Sequence, residues 1–228
     1  MKILHIVTNV GKYATVDKPT GLWLGELTHA YDEFEDRGYQ QDIASPKGGQ
    51  TPIDPRSLGH MAMDKTIRAR QADKAFMRLL DTTLAVADLD WQGYDAIYYT
   101  GGHGVMWDFP DNARLQEIAC NIFENGGVVS SVCHGYCGLM NIRLSDGRRL
   151  IEGRTITGYS WIEEIAAGVS KEVPYNAEEM AKAHGANYVK KHIPFIPNAV
   201  ADGALITGQN PFSARPTAKK VIEFLSQR

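Results

Sequence analysis

Val128-Val129-Ser130-Ser131-Val132-Cys133-His134-Gly135 constrains this chain more than any other stretch: a β-rich run ends abruptly in a cysteine, and His and Gly follow as a helical pattern begins. Such a strand-to-helix turn lifts a nucleophile out of the sheet edge while the first amides of the next element point towards it. Those amides and the helix dipole favour a thiolate over a thiol. A small buried cysteine closing a core strand is the competing explanation, because free cysteines are mostly buried. A lone Cys-His pair leaves the two readings about even.

The order strand then helix recurs along the chain. Strands are predicted at 2–8, 41–45, 95–100 and 155–158, and helical spacing at 22–37, 71–86, 115–125, 176–184 and 216–225. Gly38 and Gly126-Gly127 end two of the helices. A short helix is expected to follow Cys133 and to end at 139–142. Pro46-Lys47-Gly48-Gly49-Gln50-Thr51-Pro52 and Asp54-Pro55 form a turn-rich loop expected on the surface. Asp202-Gly203 between two short apolar runs predicts a hairpin. Alternation of this kind implies an α/β fold, a mostly parallel sheet sandwiched by helices, with a small antiparallel hairpin.

At 228 residues the chain suits one α/β domain, or a domain with a small insertion, here loop-rich at about 46–70. Its three cysteines, Cys120, Cys133 and Cys137, are an odd number beside an N-terminal run too short and polar for a leader or membrane span, so a reduced, cytoplasmic protein is expected. A net charge of −3 supplies no basic field for nucleic acid or anionic membrane. Small molecules or proteins are the expected partners.

In an open α/β sheet, chemistry collects beyond the carboxyl ends of the strands. Gly101-Gly102-His103-Gly104 and Cys133-His134-Gly135 both fall there, and the amides of Gly102 and His134 could form an oxyanion hole above Cys133. The glycine spacing is neither a P-loop nor a dinucleotide fingerprint. Glu26 sits on an apolar helix side with Leu22, Trp23, Leu27 and Ala30, where a carboxylate needs a partner. Beside Cys133 it would share one negative charge with the sulfur, as a neutral acid against a thiolate. Glu26 and His29 form an E-x-x-H pair, but no second ligand set accompanies it, and no metal site is expected. His134 could serve as base if a third group orients its ring, for which Glu163 and Glu164 are candidates. On the residues alone those two acids are better explained as a solvated first helical turn. Cys137 fits no redox or zinc spacing, and Cys120 reads as helix core.

Taken together, Thr20-Gly21-Leu22-Trp23-Leu24-Gly25-Glu26, Asp42-Ile43-Ala44-Ser45-Pro46, Gly101-Gly102-His103-Gly104 with Trp107-Asp108-Phe109-Pro110, Val132-Cys133-His134-Gly135, and Leu205-Ile206-Thr207-Gly208-Gln209-Asn210-Pro211 resemble the ThiJ/PfpI superfamily. Leu150-Ile151-Glu152-Gly153 with Thr157-Gly158-Tyr159 adds to the match, which spans nearly the whole chain and points to the branch of heat-shock chaperones with glyoxalase III activity. The resemblance implies a single flavodoxin-like, class I glutamine-amidotransferase-like domain over 1–228. It implies Cys133 as nucleophile, His134 as its imidazole partner, Glu26 as the carboxyl beside the sulfur and Glu164 as the acid orienting His134, with Glu163 as fallback. It also implies a homodimer that converts 2-oxoaldehydes such as methylglyoxal to 2-hydroxy acids without cofactor or metal, with unfolded proteins as further clients. An amidase or peptidase, a non-enzymatic holdase and a redox sensor are the alternatives. Tyr136-Cys137 stands where many relatives have Pro-Ala, a departure expected to bear on the pocket floor. The pocket itself is expected to be shaped by residues 46–64 and 107–110.

Overall fold

A computed structural model describes residues 1–228. In chain order the elements are β1 (Lys2–Ile6), α1 (Leu24–Glu35), β2 (Gln40–Ser45), α2 (Lys65–Ala72), α3 (Lys74–Asp81), β3 (Leu84–Ala85), β4 (Ala96–Tyr99), α4 (Val105–Asp108), α5 (Ala113–Glu124) and β5 (Val128–Val132). Then come β6 (Thr155–Ile156), α6 (Trp161–Ala166), α7 (Ala177–Ala183), β7 (Asn187–Tyr188), β8 (Ala199–Asp202), β9 (Leu205–Gly208) and α8 (Ala214–Leu225).

Seven strands form one sheet in the order β3-β2-β1-β4-β5-β9-β8, parallel except for the β8–β9 hairpin; β6 and β7 pair separately. All five residues of β5 and all four of β4 are buried, as expected of strands covered on both faces. The helices α1 and α8 pack on each other, and α5 packs on β4 and β5. Register fixes where the strands stop: Ile6 pairs with Tyr99, Tyr99 with Ser131 and Ser131 with Thr207. The carboxyl ends of β4 and β5 are therefore level, and the Gly101-Gly102 turn lies beside Cys133.

Three expectations need correction. The 71–86 spacing is not one helix: Asp73 accepts from the amides of Ala75 and Phe76, capping α3 and ending α2, and 84–85 pairs with β2 as a strand. The 22–37 helix starts at Leu24, because Leu22 and Trp23 are extended and donate their amides to Pro52 and Gly101. The turn-rich 46–55 loop is not on the surface throughout: Thr51 and Asp54 are buried.

Candidate active site

Cys133 terminates β5 with φ +54°, one of two non-glycine residues in the left-handed region. Such a backbone is sparsely populated and persists only where its surroundings over-determine it. Here Cys133 O accepts from Tyr159 N at 3.2 Å, and the chain continues as a buried 3-10 segment over Cys133–Leu139. The expected helix is thus a tighter coil, and the expected preference for thiolate meets an opposing force. Burial pushes the Cys133 thiol well above its ordinary range and the nearby Glu26 pushes it further, against the backbone N–H of His134 that donates to the sulfur.

The α1 residue Glu26 is fully buried. Its Oε2 accepts from Gly101 N at 2.7 Å, which ties α1 to the glycine turn. Oε1 has no conventional partner, and the Cys133 thiol beside the carboxyl is the group that can take it. Burial raises this carboxyl to about 8, against the pull of the Cys133 and Gly101 donors. Sulfur and carboxyl thus titrate as a pair that holds at most one negative charge near neutrality. Gly102 has φ +102°, and a Cβ there would lie 2.1 Å from Gly21 O, so only glycine fits. Its N–H donates to no backbone carbonyl.

His134 Nδ1 lies 3.4 Å from Cys133 Sγ, and its Nε2 lies 2.8 Å from Glu164 Oε2. The other oxygen, Glu164 Oε1, lies 2.6 Å from His103 Nε2. His103 was not expected in the site, nor was Arg56, whose Nη2 donates to His103 Nδ1 at 2.8 Å. A guanidinium can only donate. His103 Nδ1 must therefore be bare, and its proton sits on Nε2, facing Glu164. The same carboxylate selects the Nε2–H form of His134, leaving Nδ1 free to receive the thiol proton. Arg56 is itself fixed by the buried Asp54 through Nε at 3.1 Å and Nη2 at 2.6 Å, and by Tyr13. Burial alone would raise Glu164, but His134 and His103 outweigh it and hold the carboxyl well below its usual range. Burial and the neighbouring His134 lower His103 to about 4.

Glu163, the fallback orienter, does not reach His134. Its Oε1 accepts from Phe195 N and Asn210 Nδ2, and its Oε2 from Ser160 N, Ser160 Oγ and Gln209 Nε2. Both acids are buried, so the solvated-turn reading fails for each. His29 pairs with Asp64 rather than joining Glu26. Tyr136 and Cys137 are buried beneath the site; Tyr136 reaches it only by donating to Tyr159 O at 3.0 Å. Trp107 and Phe109 do not line the cavity, contrary to expectation: Trp107 packs on Tyr13 and Phe109 lies in the core. The ligand atoms of His103, His134 and Glu164 lie within 4.8 Å of one another, a spacing open to a cation. A cation there would displace both N–H···O bonds and face the Arg56 guanidinium, so the hydrogen-bonded arrangement suits these atoms better.

A cavity of about 590 Å³ opens above Cys133, lined by Gly102, His103 and His134 at its base and by residues 59–62 at its rim. The arrangement places a thiol between an acid and an imidazole, beside the Gly102 turn, in a pocket with largely apolar walls. It can add sulfur to a carbonyl and move protons on either side of the adduct.

The DJ-1/PfpI family model matches residues 21–224. The chain is 33% identical over 232 residues to "Glyoxalase 3" of Candida albicans, covering 97% of each protein. It is 33% identical to "Glutathione-independent glyoxalase HSP31" of Saccharomyces cerevisiae over 90% of each. Among solved structures, glyoxalase III of Candida albicans superposes with a TM-score of 0.90 at 31% identity, covering 98% of this chain and 97% of that one. The Rapid Encystment Protein 24 KDa of Francisella tularensis gives 0.94 at 33% identity and 98% of each chain. A family model matching residues 21–224, with relatives 33% identical over 90% or more of each chain, places this chain in the DJ-1/PfpI family.

Proposed function

We propose that the protein is a glutathione-independent glyoxalase that converts 2-oxoaldehydes such as methylglyoxal to 2-hydroxy acids. The observation that carries this reading is Cys133 Sγ between Glu26 and His134, with His134 Nδ1 at 3.4 Å and its far nitrogen held by Glu164. His134 Nδ1 takes the thiol proton, and the thiolate adds to the aldehyde carbon, forming a C–S bond and a hemithioacetal oxyanion. The N–H groups of Gly102 and His134 receive that oxyanion, which a proton then neutralises. Glu26 and His134 remove the former aldehyde proton, giving an enediol, and return a proton to the neighbouring carbon. The product is a thioester of the 2-hydroxy acid. Water attacks its carbonyl carbon, the C–S bond breaks, and the sulfur regains its proton. Methylglyoxal and one water give lactate, with no net oxidation and no external thiol.

The reading is tested by incubating metal-stripped protein with methylglyoxal and no thiol. Lactate is expected from the wild type and not from Cys133→Ala; equal rates refute it. Burial of Cys133 and its raised thiol work against a peroxide sensor. A homodimer belongs to the same proposal, supported by Ile162, Ile165 and Ile193 standing exposed. So does a cytoplasmic site of action, supported by three cysteines that are all free thiols. Unfolded protein clients would use the same exposed apolar surface, and loss of aggregation suppression on mutating it, with turnover intact, would check them.

A further inference from the structure

We propose that the cavity above Cys133 contains a subsite for an apolar substituent, so that 2-oxoaldehydes bearing an aryl or branched alkyl group are substrates in their own right. The inference rests on the glyoxalase reading. Methylglyoxal has five heavy atoms, and at the ~30 Å³ that liquid water occupies it would fill about 150 Å³. The cavity holds about 590 Å³. The catalytic groups occupy its base, and the remaining space is walled by Trp23, Met61, Tyr159, Phe195, Pro211 and Phe212. Apolar rings that stand open to solvent in the free protein are covered when an apolar substituent enters, and that burial favours binding.

The wall is built rather than incidental. Phe195 has φ +64°, a conformation a bulky residue adopts only when held there. What holds it is Glu163, which accepts from Phe195 N at 2.9 Å. Asn210 joins the other half of the wall to the same anchor: its Nδ2 donates to Glu163 Oε1 at 2.9 Å and to Ile196 O at 2.8 Å, while its Oδ1 accepts from Phe212 N at 3.2 Å. Phe195 and Phe212 are 37% and 52% exposed, yet both are pinned through their amides to buried polar groups. An anchor of that kind would be superfluous for a two-carbon or three-carbon aldehyde, which the base of the cavity can hold alone. Glu163 is thus a positioning residue for the wall, as Glu164 is for His134.

The test compares methylglyoxal with phenylglyoxal in the wild type, in Phe195→Gly, which retains the left-handed backbone, and in Phe212→Ala. Each variant is expected to lose about tenfold or more in kcat/KM for phenylglyoxal, mainly through KM, the scale on which apolar pocket contacts discriminate. Methylglyoxal turnover should stay within about twofold. Glu163→Gln should raise KM for phenylglyoxal without changing kcat for methylglyoxal. In parallel, calorimetry on Cys133→Ala should show mandelate binding about tenfold or more tighter than lactate, a readout independent of turnover. Equal losses for both aldehydes, or lactate binding as tightly as mandelate, would overturn the subsite. Failure of the wild type to turn over either aldehyde, with mandelate still preferred, would instead remove the glyoxalase reading.

Discussion

Replacing Glu164 by glutamine tests the site at its most determined point. The carboxylate accepts two N–H donors, His134 Nε2 at 2.8 Å and His103 Nε2 at 2.6 Å. A carboxamide of the same shape has one oxygen and one NH2, so it can accept from only one of them. His103 cannot give way, because Arg56 donates to its Nδ1 and keeps its proton on Nε2. The glutamine oxygen therefore turns to His103 and its NH2 to His134. His134 then has to carry its proton on Nδ1, facing the sulfur, where it can no longer take the thiol proton. Forcing the wrong tautomer on a catalytic histidine costs about 10⁴ in kcat, or ~5 kcal/mol of barrier. Steady-state lactate formation by Glu164→Gln, with circular dichroism to check the fold, reads the effect. Arg56 is the lock on this outcome, and removing it should release the site. In Arg56→Met/Glu164→Gln, His103 is free to move its proton to Nδ1 and accept from the glutamine NH2, which returns the oxygen to His134. Kcat should recover by about tenfold or more over Glu164→Gln alone, although Asp54 loses its cation and the double variant is less stable. Activity of Glu164→Gln within tenfold of wild type, or no recovery in the folded double variant, would refute the tautomer assignment.

Other consequences can be checked separately. The Glu26 carboxyl is raised from about 4.5 to about 8 on folding, so between those values the native state binds more protons than the unfolded chain and stability falls as pH rises. Glu26→Gln, which preserves the neutral shape, should match the wild-type melting temperature near pH 5 and exceed it near pH 8.5, while losing turnover; parallel melting curves would contradict a buried acid. Glu163→Ala strands the donors of Ser160, Phe195, Gln209 and Asn210 and should cost about 3 kcal/mol or more in urea unfolding, with Glu163→Gln costing less. Gly102→Ala places a methyl 2.1 Å from Gly21 O at φ +102° and should lower the urea midpoint and abolish turnover together; a fully active variant would argue against a tight turn.

The alternation of apolar runs and amphipathic stretches made the parallel sheet legible, and a strand ending in Cys-His-Gly made the elbow legible, because both are local patterns. Glu26 was legible for a different reason: an acid on an apolar helix side requires a partner. His103 and Arg56 left no such mark. Arg56 bonds His103 across 47 residues, and His103 meets Glu164 across 61, so neither partnership follows from periodicity or turn composition. The loop that carries Arg56 is rich in proline and glycine, which reads as solvent-exposed turn, yet it delivers the half-buried Arg56, held by the buried Asp54, into the site. The break between α2 and α3 did have a local signal, since Asp73 caps the second helix directly, but the continuing apolar period masked it.

Glu163 and Glu164 show most plainly what sequence cannot separate. They are adjacent, both in the first turn of α6 and both buried, and by local composition they are interchangeable. Their partners divide them. Glu163 is surrounded by amide, carboxamide and hydroxyl donors, none of which exchanges protons with it in the working pH range, so it serves as a clasp between α6 and the cavity wall. Glu164 is surrounded by two imidazoles and is held as a carboxylate, so its fixed negative charge faces whatever protonation passes through them. In the proposed reaction His134 becomes a cation on taking the thiol proton, and the carboxylate that fixes its tautomer also stabilises that charge. The far nitrogen of His103 faces the Arg56 guanidinium, a group that only donates, which disfavours passing the positive charge on through His103. In the proposed reaction, proton movement would then run between Glu26 and His134, the two groups that flank the Cys133 sulfur.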